Sequence, residues 1–375
     1  MDTVHVVIVG GGFAGLAAAK AFAGDERVRV TLIDKRNHHL FQPLLYQVAM
    51  AGLSPADIAA PIRAILSGAK NVKVVCSEVT GVDCAGRVLQ TTHGPETFDY
   101  LMLACGATHG YFGNEAWEEF APGLKTIEQA TEIRTRVLWS FEQAELTDDA
   151  DERRRHLTFA IVGGGPTGVE LAGAIGEMSR FTLAKDFRNI DARSARVILV
   201  EAGPRILPMF DEKLSSKAMR FLEQLGVQVW TSSRVIGIDE RGVELSGERI
   251  NAGTVLWAAG VQASPIGKLA GLECDRAGRI VVGPDLATPE HPHVFVAGDQ
   301  CAFRDAKTGE QLPGQAPVAV QQGQHVAKAI LRDLKGKTRK DFAYFDKGQM
   351  ATVGRGRAIA EVGKFRFAGY FAWLV

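Results

Sequence analysis

Two stretches of the chain repeat the same order of apolar, glycine and helix-forming positions. The first is residues 6–19, VVIVGGGFAGLAAA, and the second is residues 159–172, FAIVGGGPTGVELA. A short apolar run rich in β-branched residues is typical of a strand buried on both faces, and the run after the glycines favours a helix. Each stretch therefore predicts a buried strand, a glycine turn and a helix.

The glycines of both turns have the spacing G-x-G-x-x-G of a dinucleotide-binding turn. They are Gly10, Gly12 and Gly15 in the first copy and Gly163, Gly165 and Gly168 in the second. The first glycine allows the tight turn, the second lets the backbone approach a pyrophosphate, and the third lets helix and strand pack closely. The helix that follows presents unpaired N–H groups and its positive dipole end to the phosphates.

An acidic residue at the end of the next predicted strand strengthens each of these patterns, because glycine turns alone occur by chance. The strand VRVTLID ends on Asp34, close to the expected spacing of about 20 residues, and ARVILVE ends on Glu201. Residues 177–194 lengthen the second spacing, which weakens that match without removing it. Both carboxylates are candidates to accept hydrogen bonds from ribose hydroxyls, so two dinucleotide sites are expected.

The remaining apolar pattern completes two α/β units. FDYLMLACGA and VLWAAG predict matching buried strands, HVFVAGDQC predicts a strand that ends at Gly298-Asp299, and residues 128–146, 212–226 and 314–334 predict helices. SPADIAAPIRAIL predicts a further helix that begins at Ser54. The expected fold class is α/β with two Rossmann-like dinucleotide-binding domains. One is formed by residues 1–113 and 285–341 and the other by residues 114–284, and residues 342–375 are expected to form a partial C-terminal segment.

Composition excludes several classes of protein. Lys plus Arg and Asp plus Glu both total 43, so no net charge points to nucleic acid. The five cysteines are widely spaced and include no CxxC pair, which indicates neither a disulfide framework nor a zinc site. No apolar span of 18 residues is uninterrupted, and three glycines break the apolar N-terminus, so no crossing of a membrane is expected.

Taken with these motifs, the whole chain resembles the two-dinucleotide flavoprotein disulfide reductases, and within them the type II NADH:quinone dehydrogenases. The resemblance rests on GGGFAG, FQPLLYQVA, IAAPIRAIL, GGGPTGVE, AAGV, HVFVAGD, the AxxAxQ of Ala316, Ala319 and Gln321, and YFDKGQMATVG. FQPLLYQVA and DKGQMATVG are the motifs most specific to this family.

The resemblance implies that residues 1–113 and 285–341 bind FAD, that residues 114–284 bind NADH, and that residues 342–375 face the membrane. It also implies a quinone, either ubiquinone or menaquinone, as electron acceptor. Gly10, Gly12, Gly15, Asp34 and Asp299 are the implied FAD contacts, and Gly163, Gly165, Gly168, Glu170 and Glu201 the implied NADH contacts. Further cofactor contacts are expected from Phe13, Ala14, Lys35, Gln42, Leu44, Ala104, Gly106, Ala316, Lys347, Pro166, Thr167 and Gly260. A carboxylate at Glu201 would repel a 2′-phosphate, which favours NADH over NADPH.

Glu170 and Gln321 are the candidate catalytic residues, for positioning and proton delivery on the acceptor side. The expected reaction passes a hydride from NADH to the flavin and two electrons on to a quinone, without proton pumping. The chain departs from the family pattern at Pro317, where a glutamine is usual, and the quinone contacts are open for that reason.

Three alternative functions remain in view: a sulfide:quinone oxidoreductase, which would use Cys105 or Cys301, a ferredoxin-type reductase, and a flavoprotein that senses FAD and NAD without turnover. A thiol-disulfide reductase is disfavoured because no redox cysteine pair is present.

The resemblance also implies a peripheral enzyme on the cytoplasmic face of the inner membrane, and a homodimer is an open expectation. GKFRFAGYFAWLV combines aromatic residues with Lys364 and Arg366, which suits a membrane interface or an oligomer contact. Because relatives usually continue beyond the equivalent of Trp373, the anchor is expected to be missing and membrane binding to be weakened.

Overall fold

The structure of this chain, a computed structural model, describes residues 3–374. Val375, the last residue of the predicted C-terminal segment, lies outside the described residues. The helices are α1 Phe13–Phe22, α2 Leu45–Ala49, α3 Pro55–Ile58, α4 Ile62–Ile65, α5 Ile127–Leu146, α6 Ala150–His156, α7 Pro166–Glu177, α8 Glu212–Gln224, α9 Ile266–Leu269, α10 Ala316–Asp333 and α11 Tyr370–Leu374.

Among the described residues, ten strands precede residue 110: β1 Val4–Val9, β2 Val28–Asp34, β3 His38–Leu40, β4 Ala59–Pro61, β5 Val72–Cys76, β6 Val79–Asp83, β7 Val88–Thr91, β8 Gly94–Thr97, β9 Tyr100–Leu103 and β10 Ala107–His109. Fourteen more lie between residues 158 and 369: β11 Thr158–Val162, β12 Arg196–Val200, β13 Val227–Trp230, β14 Val235–Asp239, β15 Gly242–Leu245, β16 Glu248–Asn251, β17 Thr254–Trp257, β18 Val261–Ala263, β19 Ile280–Val281, β20 Val294–Val296, β21 Cys301–Ala302, β22 Gln349–Thr352, β23 Ala358–Val362 and β24 Phe365–Gly369.

The chain divides into two compact units. Unit 1 comprises residues 1–40, 59–108 and 261–345, and unit 2 comprises residues 41–58, 109–260 and 346–375. This division follows packing, whereas the domain boundaries of the sequence analysis were drawn by the dinucleotide each domain binds. Those boundaries remain a prediction.

Unit 1 is built on a five-stranded parallel sheet in the order β20-β9-β1-β2-β5. Its central strand β1 is buried from His5 to Val9, as its continuous apolar run predicted. The helices α1 and α10 pack so closely that a Cβ on Gly323 would lie 2.1 Å from the carbonyl oxygen of Ala14. Strands β6, β7 and β8 form a separate antiparallel meander.

Unit 2 repeats this plan with a four-stranded parallel sheet in the order β13-β12-β11-β17. Strand β11 is buried throughout. An antiparallel meander of β14, β15 and β16 matches that of unit 1, and β22, β23 and β24 form the C-terminal antiparallel sheet. The internal repeat found in the sequence is therefore a repeat of architecture.

The helix predicted to begin at Ser54 is shorter than expected. It ends at Ile58, and residues Ala59–Pro61 form β4, which pairs antiparallel with β3 before α4 begins at Ile62. Pro61 lacks the N–H that a continuous helix would need, which explains the break. Within residues 3–374, no helix is long and apolar enough to cross a membrane.

Candidate functional site

The first glycine turn lies at the carboxyl end of β1, where a ligand of an open parallel sheet is expected. Gly10 has φ +106°, and a Cβ there would lie 2.2 Å from the carbonyl oxygen of Ala104. A Cβ on Gly15 would lie 1.9 Å from the oxygen of Gly10. Both positions therefore require glycine to hold α1 against the sheet.

Gly12 is constrained differently, because the space beside it is open. A Cβ on Gly12 would meet no described atom within 4 Å, and no described side chain caps α1 at this residue. The first hydrogen bond within α1 runs from the backbone nitrogen of Leu16 to the oxygen of Gly12, so the N–H groups of Ala14 and Gly15 have no acceptor within the helix. An open approach with uncapped donors suits a pyrophosphate.

Asp34 is fixed at the end of β2 beside this turn. Its Oδ2 accepts a hydrogen bond of 2.6 Å from the backbone nitrogen of Gly11, and its Oδ1 accepts one of 2.7 Å from that of Arg36. Each carboxylate oxygen keeps a further lone pair, so the group can also accept from ribose hydroxyls. Lys35 is exposed and lies 3.9 Å from Glu78, a weak surface ion pair.

Two helix N-termini meet at Gly298-Asp299. Gly298 has φ +77°, and a Cβ there would lie 3.6 Å from the Cβ atoms of both Ala14 and Ala319, on α1 and α10. Like α1, α10 has no described side-chain cap at its N-terminus, where Ala316 is the first residue. The half-buried Asp299 carboxylate stands where backbone donors and a carboxylate together could hold a phosphate and hydroxyls.

Two buried glutamines that the sequence analysis missed hold this corner in place. Gln300 is fully buried, and its Oε1 accepts a hydrogen bond of 3.0 Å from the backbone nitrogen of Cys105, while its Nε2 has no partner among the described residues. Gln322 is also buried, and its Oε1 accepts a hydrogen bond of 2.7 Å from the backbone nitrogen of Gly298. The unpaired Gln300 donor is the kind of buried polar atom that a bound group would satisfy.

The second glycine turn has the same construction within unit 2. Gly163 has φ +112°, and a Cβ on Gly168 would lie 1.8 Å from the oxygen of Gly163. A Cβ on Gly165 would meet no described atom within 4 Å, and α7 begins with Pro166 and Thr167 and has no described side-chain cap. The second turn therefore offers the same open, uncapped helix terminus as the first.

Glu201 occupies the position in unit 2 that Asp34 has in unit 1. Its Oε2 accepts a hydrogen bond of 2.6 Å from the backbone nitrogen of Gly164, and its Oε1 accepts one of 2.6 Å from that of Gly203. The predicted match therefore holds in geometry despite the insertion that lengthens its spacing. Two ribose hydroxyls could donate to the remaining lone pairs, whereas a phosphate would meet a negative charge.

Glu170 lies on the first turns of α7 and is the end point of a hydrogen-bonded chain within unit 2. Gln47 Nε2 donates to the Tyr46 hydroxyl over 3.0 Å, the Tyr46 hydroxyl lies 3.0 Å from Thr352 Oγ1, and Thr352 Oγ1 donates to Glu170 Oε1 over 3.4 Å. Burial raises the pKa of Glu170 to about 8, against the opposing effect of the Thr352 hydrogen bonds. Glu170 thus holds a proton at neutral pH that it could release.

Gln321 is engaged with the backbone of Phe345 in unit 1. Its Nε2 donates to the Phe345 oxygen over 2.9 Å, and its Oε1 accepts from the Phe345 nitrogen over 3.0 Å. The amide therefore pairs with both backbone groups of one residue, and tethers the segment around Phe345 to α10. Pro317 lies in the first turn of α10, where a missing N–H costs no helical hydrogen bond.

The other predicted cofactor contacts are divided between the units. Ala104 and Gly106 follow β9 in unit 1, and Gly106 has φ +68°. Gln42, Leu44, Lys347 and Gly260 belong to unit 2. A Cβ on Gly260 would lie 2.3 Å from the oxygen of Gly110, so glycine is required there by packing alone.

All five cysteines are free, with no disulfide among the described residues. Burial raises the pKa of Cys105 to about 12, and burial also raises the pKa of Cys301. A buried thiol with a raised pKa is a weak nucleophile, which disfavours the sulfide:quinone oxidoreductase alternative.

Comparison with known proteins gives consistent matches over almost the whole chain. The family model for pyridine nucleotide-disulphide oxidoreductases matches residues 4–323. Two type II NADH:quinone oxidoreductases of Mycobacterium tuberculosis, NdhA and Ndh, are 46% and 44% identical to this chain over 99% of its length, which corresponds to 81% and 82% of the relatives. A type II NADH:quinone oxidoreductase of Staphylococcus haemolyticus is 32% identical over 94% of this chain and 88% of its own length.

Solved structures agree on the fold. The structure of NDH2 from Plasmodium falciparum in complex with NADH has a TM-score of 0.90 and covers 99% of this chain and 93% of its own, at 18% identity. A sulfide:quinone oxidoreductase of Aquifex aeolicus has a TM-score of 0.81 over 99% of this chain and 88% of its own, also at 18% identity. Identities this low establish a shared fold and leave the reaction to be decided by the site.

Proposed function

This chain belongs to the pyridine nucleotide-disulphide oxidoreductases and, among them, to the type II NADH:quinone oxidoreductases, and we propose that it transfers two electrons from NADH through FAD to a quinone. The observation that carries the proposal is the pair of open glycine turns, each beside a fixed carboxylate, in a chain whose relatives are named for this reaction. Bound FAD would supply the redox chemistry, acceptance of a hydride from NADH and delivery of two electrons to the quinone, which also takes up two protons.

FAD is assigned to unit 1. Gly12 leaves room for the pyrophosphate against the uncapped start of α1, and Asp34 and Asp299 offer carboxylate oxygens to hydroxyl groups. The unpaired Nε2 of buried Gln300 adds a donor at the same sheet end. The chemistry of these residues fits a flavin dinucleotide: backbone donors for the pyrophosphate and carboxylate acceptors for hydroxyl groups.

NADH is assigned to unit 2. The open face of Gly165 receives the pyrophosphate, and Glu201 accepts from the adenosine ribose. Because a 2′-phosphate would lie against the Glu201 carboxylate, the chain selects NADH over NADPH.

Glu170 is proposed to hold the proton that the quinone receives. Its raised pKa keeps it protonated at neutral pH, and the hydroxyls of Thr352 and Tyr46 provide a route by which that proton could be replaced. Gln321 is proposed to be a positioning residue. Its two hydrogen bonds to the backbone of Phe345 hold the segment around Phe345 in place for binding of the quinone acceptor.

A steady-state assay tests the proposed function. NADH with a soluble quinone should give sustained turnover, while NADPH in place of NADH, or ferredoxin in place of quinone, should give little. Sustained turnover with ferredoxin alone would favour a ferredoxin reductase. Flavin bleaching by NADH without turnover would favour a sensor.

We further propose a peripheral enzyme that meets the cytoplasmic face of the membrane through its C-terminal sheet and helix. Exposed apolar side chains there are Phe365, Phe367, Tyr370, Phe371 and Trp373, with Arg366 beside them. Aromatic rings with cations suit a lipid–water interface. The test is co-flotation of the protein with lipid vesicles. If the wild type floats with the vesicles and a Phe365→Ser/Phe371→Ser variant does not, the proposal is supported. If the variant floats as the wild type does, the proposal is contradicted. A homodimer stays a prediction that native mass spectrometry tests.

A further inference from the structure

An open groove of about 600 Å³ lies on unit 1, between α1 and α10. Phe13, Leu16, Ala17, Lys20 and Ala21 line it from α1, and Val320, Gln324 and Lys328 line it from α10, with His39 closing one end. None of the residues that the sequence analysis assigned to substrate chemistry lies in this groove, apart from Phe13 at its edge. The groove is therefore a feature that the proposed redox reaction does not use.

The end formed by Phe13 and His39 is held rigidly. Their rings pack edge to face with centroids 5.0 Å apart, and His39 Nδ1 lies 3.0 Å from the carbonyl oxygen of Gly11. Because a carbonyl oxygen only accepts, His39 carries its proton on Nδ1 in this contact. This end of the groove is therefore formed before any ligand arrives.

The lining separates into an apolar part and a cationic part. Leu16, Ala17 and Val320 provide an aliphatic surface, and Lys20 and Lys328 supply one cation from each helix. None of the described residues that line the groove is acidic, and neither lysine has an ion-pair partner in the described part of the chain. Two unpaired cations beside aliphatic surface complement a molecule with an anionic head and a hydrocarbon tail.

We propose that this groove binds a fatty-acid anion, with its carboxylate between Lys20 and Lys328 and its chain along Leu16, Ala17 and Val320. The volume is within the range of small-molecule sites. An uncharged quinone tail would leave both lysines without a partner, and a small inorganic anion would leave the aliphatic surface exposed. The inference is independent of the redox reaction.

Isothermal titration of the FAD-loaded, full-length protein with laurate tests the proposal, with dodecyl maltoside and acetate as the neutral and tail-less probes. Laurate should bind with one dominant site, and each comparison probe should bind at least about tenfold more weakly, because it lacks either the charge or the buried chain. Equal affinity for dodecyl maltoside would remove the role of the lysines. Equal affinity for acetate would remove the role of the aliphatic surface.

Variants place the binding in the groove. Lys20→Glu/Lys328→Glu should weaken laurate binding by more than about tenfold, since each lysine contributes about fivefold near an anionic head. Ala17→Phe should weaken it by filling the groove while both charges stay. The matched control Lys217→Glu changes an exposed lysine on α8 in unit 2 and should leave the affinity unchanged. FAD content and melting temperature report that each variant is folded. Laurate binding that survives both groove variants would overturn the proposal.

Discussion

The carboxylate of Glu201 lies 2.6 Å from the backbone nitrogen of Gly164, within the second glycine turn. The same carboxylate also accepts from the backbone nitrogen of Gly203, so both of its oxygens are held. This arrangement fixes a negative charge beside the open face of Gly165, and the choice between NADH and NADPH depends on that charge.

Replacing Glu201 should therefore change nucleotide selectivity. In Glu201→Gln the amide keeps the size of the side chain but loses the charge and one of the two acceptors. We expect kcat/KM for NADH to fall about tenfold or more, as hydrogen bonds to charged groups are lost, and the ratio of NADPH to NADH activity to rise. The control Glu248→Gln removes an exposed carboxylate of β16 in the same unit and should leave both values unchanged. A wild-type preference for NADPH would refute the role given to Glu201.

The pKa of Glu170 predicts how stability depends on pH. The pKa is about 8 in the folded chain and near 4.5 when the group is free, so between these values the folded state keeps a proton that the unfolded state releases. The contribution of Glu170 to the free energy of unfolding therefore decreases as the pH rises from about 4.5 to 8, and it is constant above pH 8.

Glu170→Gln removes that titration, so the melting temperature of the variant minus that of the wild type should increase from pH 5 to pH 8 and then level off. Calorimetry over this range, with Glu142→Gln as an exposed carboxylate control, measures the difference. A difference that stays constant with pH would show that Glu170 has an ordinary pKa. Thr352→Val removes a hydrogen bond that lowers the pKa of Glu170, so that pKa should increase further. In a Thr352→Val background, the melting-temperature difference caused by Glu170→Gln should therefore continue to rise to higher pH.

The tether between Gln321 and Phe345 predicts a selective effect on the acceptor. Gln321→Ala removes both hydrogen bonds to Phe345, each with a net contribution of about 1 kcal/mol, and frees that segment. We expect KM for a soluble quinone to rise about fivefold while KM for NADH is unchanged. Gln324→Ala, on the exposed side of the same helix, is the matched control. Equal changes in both KM values would indicate a general loss of structure.

Features set by local sequence were predictable. The two buried strands, the glycine turns and the carboxylates at the strand ends follow from short stretches. The position of Glu201 directly after β12 was predictable despite the insertion before it, because its own strand fixes that position, and its contact with NADH stays a prediction. The helix from Ser54 was predicted too long, because its apolar spacing continues through Pro61 while the pairing of β4 with β3 depends on distant residues.

Contacts between distant parts of the chain were not predictable. Tyr46, Thr352 and Glu170 come from three separate segments, and no local pattern shows that their side chains meet. A glutamine that follows a buried strand needs hydrogen-bond partners, so Gln300 could have been singled out from the sequence. Its hydrogen bond to Cys105 could not, because that bond depends on the packing of β9 beside β20. The catalytic role of Gln321 stays a prediction, and its hydrogen bonds to Phe345 could not be foreseen from the sequence.

The assignment of FAD to unit 1 and NADH to unit 2 is tested most directly by placing a methyl group at Gly12 or at Gly165. A Cβ at either residue meets no described atom of the protein within 4 Å, so each variant should fold, and only a bound pyrophosphate would be obstructed. We expect Gly12→Ala to be purified with little FAD, whereas Gly165→Ala should keep a full complement of FAD and show a KM for NADH raised at least about tenfold. Loss of FAD from Gly165→Ala with FAD retained in Gly12→Ala would contradict the assignment.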